Sequence, residues 1–298
     1  MSDTRTMAQL TFNSKEESSR TKEFPIKVKR TSTNSWGCSS IGSGYLKKYK
    51  VGQGSYGFEF LLIIIREVYK AIQKTTSSIV AIKRMSLERS IEGFPIAALN
   101  EIKILKHLSH PNIIRLIDVA IAKYAPSERL HGTIRACPFL YPWNFFMVCE
   151  YAEHSLSGLI ERGASFNQSE IKCLFKQVLE GLAYLHSKGI MHRDIKCSNI
   201  LVNSSGIAKL ADFGISTQFT PISLQDGKKP VATLWYRAPE LLKEENYTEA
   251  IDIWGMGCVL GELILGKAVF MGKNPKSQLE AIQKELSGAQ LWTKLAFL

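Results

Sequence analysis

Polar side chains suited to phosphoryl transfer lie close together between residues 192 and 214. The string HRDIKCSN at residues 192–199 is followed by DFG at residues 212–214. This set offers a carboxylate to accept a hydroxyl proton, a lysine to neutralise phosphate charge and two oxygen ligands for a metal ion. Either tripeptide alone recurs by chance. The two at this spacing, with matching segments upstream and downstream, predict a phosphoryl-transfer site.

Four side chains in this stretch have distinct expected roles. Asp194 is expected to accept the proton of the attacking hydroxyl through its position. Lys196 would neutralise the transferring phosphoryl group, and Asn199 and Asp212 would hold Mg²⁺ with water completing its octahedral shell. His192 is expected to brace the loop rather than to titrate.

A second group of residues could bind nucleotide phosphates. GQGSYG at residues 52–57 fits a dinucleotide-binding turn as well, but that turn requires a helix after the glycines. Residues 58–69 are β-branched and aromatic instead, which favours a glycine-rich hairpin over the phosphates. VAIK at residues 80–83 ends a strand with Lys83, which can reach toward the phosphates. A buried lysine needs a partner charge, so Glu101 is expected to be that partner rather than a solvated helical carboxylate.

Length and composition set limits on the class of protein. The chain of 298 residues can form one large or two small domains. Its longest apolar run, residues 60–65, is far below the roughly 18 residues of a membrane span, and its N-terminus lacks the apolar run of a secretory signal. Six scattered cysteines without a C-x-x-C pair indicate a reducing compartment. The net charge of +11 suits anionic nucleotides and acidic partners. We expect no membrane and no nucleic acid as a direct partner.

The pattern along the chain predicts an α+β protein with two lobes. Residues 1–44 are rich in Ser, Thr, Lys and Glu and lack apolar periodicity, which predicts a disordered basic tail. One helix, from Ile96 to about Leu108, interrupts a strand-rich N-lobe at about 45–152. Helices dominate the C-lobe at about 153–298, one of them begun by a capping box of Asn167 and Glu170. The predicted strands are Tyr45–Val51, Glu67–Gln73, Ile79–Arg84, Ile114–Ala122 and Phe146–Glu150.

Residues 45–298 resemble the eukaryotic protein kinases, and particular strings narrow the likeness. EGFPIAALNEI at residues 92–102 is similar to the cyclin-contacting helix of the transcriptional cyclin-dependent kinases, the branch that includes the kinase subunit of positive transcription elongation factor b. TLWYRAPE at residues 233–240 is similar to the substrate-binding segment of that branch, and EHSLSGL at residues 153–159 fits it too. A lysine two residues after Asp194 is the serine/threonine pattern.

The resemblance implies a two-lobed protein-kinase-like fold, ATP and Mg²⁺ as cofactors, and a cyclin of T type as partner. It also implies a nuclear location, with the cytoplasm second, and a Ser/Thr-Pro protein substrate such as the RNA polymerase II tail. The catalytic residues would be Asp194, Lys196, Lys83 and Glu101, and the metal ligands Asn199 and Asp212.

The resemblance carries over two further sets of residues. Adenine would bind backbone groups of Glu150 and Ala152, with Cys149 as gatekeeper. Arg237, near Ala232, would create the pocket for a proline after the acceptor residue. The expected ATP-binding residues are Val51, Gly52, Gln53, Gly54, Ser55, Tyr56, Gly57, Val68, Ala81, Lys83, Cys149, Glu150, Ala152 and Leu201. The expected substrate-binding residues are Ala232, Thr233 and Arg237.

Departures from the family pattern keep alternatives open. Residues 58–66 and 135–145 are insertions, which we interpret as retained introns or lineage insertions. The C-lobe is expected to be incomplete, without the arginine that pairs with the equivalent of Glu240, so marginal stability is expected. An alternative function is therefore a catalytically impaired kinase-fold module that binds cyclin or nucleotide. A third reading is a gene product that never folds stably.

The activation segment differs from the family pattern as well. Relatives carry a phosphorylatable threonine where this chain has Lys228, and three arginines bind its phosphate. Arg193 is present, but Asn100 and Thr217 occupy the other two places. Losing the phosphate together with two of its partners is self-consistent, since unpaired arginines would repel one another. We predict that phosphorylation at this site is not the switch.

Overall fold

The computed structural model describes residues 38–54, 66–85, 96–123, 143–219 and 233–288. The described residues group into two compact units. The first draws on Met1–Pro95 and Leu116–Tyr151, and the second on Ile96–Arg115 and Ala152–Leu298. A strand-rich unit and a mainly helical unit confirm the predicted α+β fold class.

The first unit is a six-stranded sheet with the strand order β1-β5-β6-β4-β3-β2. All neighbours pair antiparallel except β1, which runs parallel to β5. Its strands are β1 Ser39–Ser40, β2 Tyr45–Gly54, β3 Arg66–Gln73, β4 Ile79–Met85, β5 Leu116–Lys123 and β6 Trp143–Glu150.

One face of this sheet carries the core of the first unit. Ala71 pairs with Val80 and Ile82 pairs with Val148, and all four side chains are buried. Successive side chains of a strand point to opposite faces, so the residues between them lie on the other face. The alternation therefore separates a packing face from a face that can bind a ligand.

The structure describes a strand and a helical turn within the last residues of the predicted tail. Ser39–Ser40 form β1, and a single helical turn, α1 Ile41–Gly44, follows. Ile41 is buried in the core of the sheet beside Tyr45, whose hydroxyl donates to Asp118 at 2.7 Å. One isolated isoleucine gives no periodic signal, and for this reason the sequence assigned residues 39–44 to the tail.

The second unit is mainly helical. Its helices are α2 Ile96–Lys106, α3 Leu156–Glu161, α4 Gln168–Ser187, α5 Pro239–Leu242, α6 Ala250–Leu265 and α7 Pro275–Ser287. Its short strands are β7 His154–Ser155, β8 Ile190–Met191, β9 Ile200–Val202, β10 Ala208–Leu210 and β11 Thr217–Gln218. These strands form two small sheets, β10-β9-β7 and β11-β8. Within the part of the chain that the structure describes, no helix has the length and apolar character needed to cross a membrane.

Helix α4 begins as its sequence predicts. The Glu170 amide donates to the Asn167 side chain at 3.0 Å, and the Asn167 amide donates to Glu170 Oε2 at 2.8 Å, so the capping box is confirmed. Its apolar stripe is buried along four turns, from Ile171 to Leu185. The helix therefore forms a fixed wall of the second unit.

Helix α2 groups with the second unit, whereas the sequence assigned it to the N-lobe. Its Asn100 side chain donates to the Ser216 carbonyl at 2.6 Å. The chain after the helix continues onto β10, where Ile114 N donates to Leu210 O at 2.9 Å. In the sequence the helix lies between two strands of the sheet, β4 and β5, but these long-range contacts place it in the second unit.

Candidate active site

Two 3₁₀ turns of the second unit bring predicted catalytic and substrate residues together. Cys197–Asn199 forms one turn and Leu234–Tyr236 forms the other. Lys196 Nζ lies 2.9 Å from Asp194 Oδ2 and donates to Thr233 Oγ1 at 2.9 Å. Asn199 Nδ2 donates to both the carbonyl and the carboxylate of Asp194 at 2.9 Å.

Helix α6 fixes the backbone that carries Asp194. Asp252, buried near the start of the helix, accepts from the amides of His192 and Arg193, both at 2.8 Å. His186 Nε2 contacts the same carboxylate at 2.9 Å. Asp252 therefore braces the catalytic loop from α6.

His192 is fully buried and structural, as predicted. Its Nε2 lies 3.1 Å from the Ala211 carbonyl, and its Nδ1 accepts from the Asp194 amide at 3.3 Å. Its ring contacts the buried ring of Phe213, with centroids 4.9 Å apart. The histidine therefore connects the loop of Asp194 to the segment of Asp212.

Two non-glycine residues of the site have a left-handed backbone. Arg193 has φ of 66° and Asp212 has φ of 63°. Such residues are uncommon and cost free energy, so they persist only where the surroundings hold them. At Arg193 the hydrogen bond from its amide to Asp252 provides part of that support. Neither conformation has a signal in the sequence.

Asp194, Thr233 and Arg237 line one cavity, together with Tyr236 and Gly255. Burial lowers the pKa of the Arg237 guanidinium, and the nearby Asp194 charge opposes that lowering. Two of the three predicted substrate residues thus lie beside the predicted base. The third, Ala232, lies outside the described residues.

In the first unit, the predicted ATP-binding residues share one face of the sheet. Val68 pairs with Lys83, and Ala81 pairs with Cys149. Ala81 and Lys83 are two residues apart on β4, so these four side chains lie on the same face, opposite the packing face. Glu150 pairs with Val80 at the end of β6.

The glycine-rich segment forms the predicted hairpin as far as the structure describes it. Gly52 pairs with Val68 and Gly54 pairs with Arg66, antiparallel, so the next described element after the glycines is a strand that pairs with them. Val51 and Gln53 belong to the same strand, β2. Ser55, Tyr56 and Gly57 lie outside the described residues.

Both predicted insertions fall mainly outside the described residues. The exceptions are Arg66, which begins β3, and residues 143–145, which begin β6. Phe145 pairs with Ile121 of β5 and with Met85 of β4. The last three residues of the second predicted insertion therefore belong to the sheet.

The remaining predicted site residues lie in the second unit. Glu101 is on α2 and only 5% exposed. Leu201 lies on β9, where it pairs with Ser155 and Lys209, and Ala152 lies just before β7. Burial of the Glu101 carboxylate is consistent with a paired rather than a solvated side chain.

The predicted metal ligands fit a magnesium ion bound with phosphates. Asn199 directs its amide nitrogen at Asp194, which leaves its amide oxygen as the hard ligand, and Asp212 offers a carboxylate. Across the described ranges no group of three or more His, Cys, Asp or Glu side chains could hold a metal. Mg²⁺ commonly takes one or two protein oxygens and completes its shell with substrate phosphates and water, so none is required.

Side chains of Asn100 and Arg193 hold the start of the activation segment through its backbone carbonyls. Asn100 donates to Ser216 O, and Arg193 Nε donates to the preceding carbonyl, Ile215 O, both at 2.6 Å. The Arg193 guanidinium also donates to the Tyr247 hydroxyl at 3.1 Å. Asn100 thus contacts the activation segment without a phosphate. Lys228 lies outside the described residues.

Sequence reasoning missed two buried side chains that hold the substrate segment. Glu262 of α6 accepts from the Tyr236 hydroxyl. Gln278 of α7, fully buried, donates to the Trp235 carbonyl at 3.2 Å. Tyr236 and Trp235 stood in a recognised string, but nothing in the sequence indicates which distant residues they contact.

In the second unit a carboxylate is held by a lysine and an asparagine, and in the first unit a sheet carries a lysine on β4 and glycines on β2. Together these features define a phosphotransferase of the protein-kinase class. The protein kinase domain model matches residues 45–295, and the chain belongs to the protein kinase family.

Among curated proteins the chain is similar to cyclin-dependent kinases, which confirms the predicted likeness. It is 46% identical over 255 residues to cyclin-dependent kinase 12 of Caenorhabditis elegans, and the match covers 85% of this chain and 32% of that protein. It is 42% identical over 241 residues to cyclin-dependent kinase 12 of Drosophila melanogaster, with 79% of this chain and 19% of that protein covered. It is 39% identical over 254 residues to cyclin-dependent kinase C-1 of Oryza sativa, with 83% of this chain and 46% of that protein covered. The chain thus spans less than half the length of these relatives.

Proposed function

We propose that this chain is an ATP-dependent serine/threonine protein kinase of the cyclin-dependent class. The observation that carries the proposal is the set of 2.9 Å contacts that joins Asp194 to Lys196 and Asn199, and Lys196 to Thr233. These contacts fix a carboxylate, a cation and a substrate-segment hydroxyl in one place. Phosphoryl transfer depends mainly on such positioning and on charge stabilisation.

The chain's own residues have separable tasks. Asp194, only 4% exposed, accepts the proton of the substrate hydroxyl, and Asn199 holds its carboxylate in place. Lys196 neutralises developing negative charge on the transferred group. ATP with Mg²⁺, when bound, supplies the phosphoryl group and a counter-charge for its transfer. Asn199 and Asp212 would hold the metal, and Val68, Ala81, Lys83 and Cys149 provide a nucleotide face on the sheet.

The substrate proposal is a serine or threonine followed by proline. Thr233 and Arg237 line the same cavity as Asp194, which supports a role of this segment beside the acceptor residue. The similarity to cyclin-dependent kinases supports a cyclin as partner. We extend this to a cyclin of T type, to action on the RNA polymerase II tail and to a nuclear location. They are part of the proposal.

The test is phosphate transfer from labelled ATP to a Ser-Pro peptide by the chain purified with a T-type cyclin. Asp194→Asn should lower the rate by about 10²- to 10⁴-fold, since the carboxylate is the proton acceptor. The exposed Glu249→Gln is the matched control and should leave the rate unchanged. A Ser-Ala peptide should react more slowly than the Ser-Pro peptide.

The competing function is a kinase-fold module that binds cyclin or nucleotide without turnover. Binding of both ligands with no transfer above the Asp194→Asn background would establish that module and refute the enzyme. The complete polar set favours the enzyme, because a disused site is free to lose such groups.

A further inference from the structure

Ser216 contacts helix α2 on one side and the catalytic loop on the other. The residue is only 1% exposed. Its carbonyl accepts from the Asn100 side chain at 2.6 Å, and its hydroxyl donates to the His192 carbonyl at 3.1 Å. The partners are 116 and 24 positions away in the chain, so both contacts depend on the tertiary fold. One buried serine therefore joins the helix to the loop that carries Asp194.

The segment around Ser216 is held to the catalytic loop at further points. The Arg193 side chain donates to the Ile215 carbonyl at 2.6 Å. Thr217 pairs with Met191 where β11 meets β8. These contacts set the position of the segment relative to the loop. The contact from α2 then adds the helix to the same assembly.

The contact between α2 and the segment uses no charged group. Its donor is the Asn100 side-chain amide, and its acceptor is a backbone carbonyl. A hydrogen bond of this kind forms in the unphosphorylated chain. Because Ser216 is buried, water cannot readily replace the amide, and a buried carbonyl that loses its donor costs free energy.

Both ends of this connection lie beside residues of the candidate active site. On the loop, His192 Nδ1 accepts from the Asp194 amide at 3.3 Å. On the helix, Asn100 directly precedes Glu101, whose side chain is only 5% exposed. A shift at Ser216 therefore reaches the expected proton acceptor through one neighbouring residue and the buried helical carboxylate through another.

We propose that Asn100 is a positioning residue that, through Ser216, ties helix α2 to the catalytic loop without phosphorylation of the activation segment. The catalytic consequence rests on the proposed kinase function, whereas the tie itself is a property of the second unit. Loss of the amide donor releases Ser216 from α2. Glu101 on the helix and Asp194 on the loop are then free to shift relative to each other.

The catalytic test compares Asn100→Leu, Asn100→Gln and Ser216→Ala in the complex with cyclin after phosphatase treatment. Leucine is close to asparagine in size but cannot donate, so Asn100→Leu should lower kcat for the peptide about five- to a hundred-fold, with KM for the peptide unchanged. Asn100→Gln keeps an amide donor and should stay within about threefold of the unmodified chain. Ser216→Ala removes the bond to His192 and should also lower kcat. Lys103→Gln, an exposed position on the same helix, is the matched control.

Hydrogen exchange is the second measurement and needs no catalysis. The Ser216 amide donates to the Phe213 carbonyl at 3.1 Å and reports on the segment. Asn100→Leu should lower the protection of this amide and of the α2 amides together. Leucine has a higher helix propensity than asparagine, so a loss of protection in α2 would come from the lost tie and not from the helix itself.

Three results would overturn the proposal. Asn100→Leu could leave kcat at the level of Lys103→Gln, the Ser216 amide could keep its protection in Asn100→Leu, or phosphatase could abolish the activity of the unmodified chain. An unmodified chain that shows no transfer before phosphatase treatment would refute the proposed function, yet the exchange result would still decide whether Asn100 ties α2 to the segment. If Ser216→Ala does not fold, Asn100→Leu decides the same question at a half-buried position.

Discussion

Replacing Asp252 by alanine tests how helix α6 supports the catalytic loop. The Asp252 side chain is 1% exposed and accepts from two consecutive backbone amides of the loop, at His192 and Arg193. Alanine leaves both amides without this acceptor and also removes the contact with His186. The loop carries Asp194, so the substitution acts on the catalytic carboxylate through the backbone.

The expected loss of stability follows from the number and burial of the amide donors that lose their acceptor. Each buried donor without a partner costs about 1–3 kcal/mol, so the two amides together give about 2–6 kcal/mol. A domain of ordinary stability has about 5–15 kcal/mol in total. The substitution should therefore remove a large share of the free energy of unfolding. Arg193 should respond most, because its left-handed backbone depends on external support.

The assay combines urea unfolding with hydrogen exchange of the two amides. A loss of about 2 kcal/mol local to the loop would lower their protection about thirty-fold. Glu249→Ala is the matched control, since it removes an exposed carboxylate at the same helix end that makes no capping hydrogen bond. His186→Gln removes only one of the three contacts and should cost less.

Two results would refute this reasoning. Asp252→Ala could destabilise the chain no more than Glu249→Ala, or the amides of His192 and Arg193 could keep their protection. If Asp252→Ala fails to fold, the intermediate loss expected for His186→Gln carries the test.

Three further predictions concern packing, pH and phosphorylation. Gly181→Ala should destabilise the chain by about 1–3 kcal/mol, because a Cβ there would lie 2.6 Å from the Asn112 carbonyl oxygen. The control is Gly257→Ala, whose Cβ would meet open space. In thermal unfolding this control should leave the stability unchanged. Burial raises the pKa of Glu67, but a tyrosine hydroxyl, a lysine and an arginine together hold it below 4.5. The stability from Glu67 should be present above pH 4.5 and lost as the pH falls through the lower folded value, and Glu67→Gln should abolish this loss in urea titrations. Because Lys228 cannot be phosphorylated as the threonine of the relatives is, treating the chain with phosphatase should leave its rate of peptide phosphorylation unchanged. A phosphorylated residue within 217–233 that is required for activity would contradict this prediction.

The sequence predicted those elements whose boundaries are set by residues close together in the chain. The capping box of Asn167 and Glu170 fixed the start of α4, because both hydrogen bonds form within one turn. The β-branched residues after the glycines predicted a hairpin, and the pairing of Gly54 with Arg66 confirms it. In both places the deciding contacts lie within a few residues or across one turn.

Tertiary contacts decided the features that the sequence could not give. The segment at Ile41 is ordered because the sheet offers it a buried position, although its own pattern is polar. Helix α2 groups with the second unit through contacts such as Asn100 to Ser216, 116 positions apart. The catalytic strings were recognisable because chemistry restricts their residue types, whereas the Glu262 contacts combine a common tyrosine with a common glutamate.

Two carboxylates of α6 hold two different segments of the candidate site. Asp252 and Glu262 are ten residues apart, so they lie about 15 Å apart along the helix axis. Asp252 holds the catalytic loop where its backbone is left-handed, at Arg193, and Glu262 accepts a hydrogen bond from Tyr236 of the substrate segment. The loop of Asp194 and the segment of Thr233 are thus both held by one helix. A rigid support of this kind keeps a proton acceptor and the substrate segment at a fixed separation without direct contact to the catalytic carboxylate.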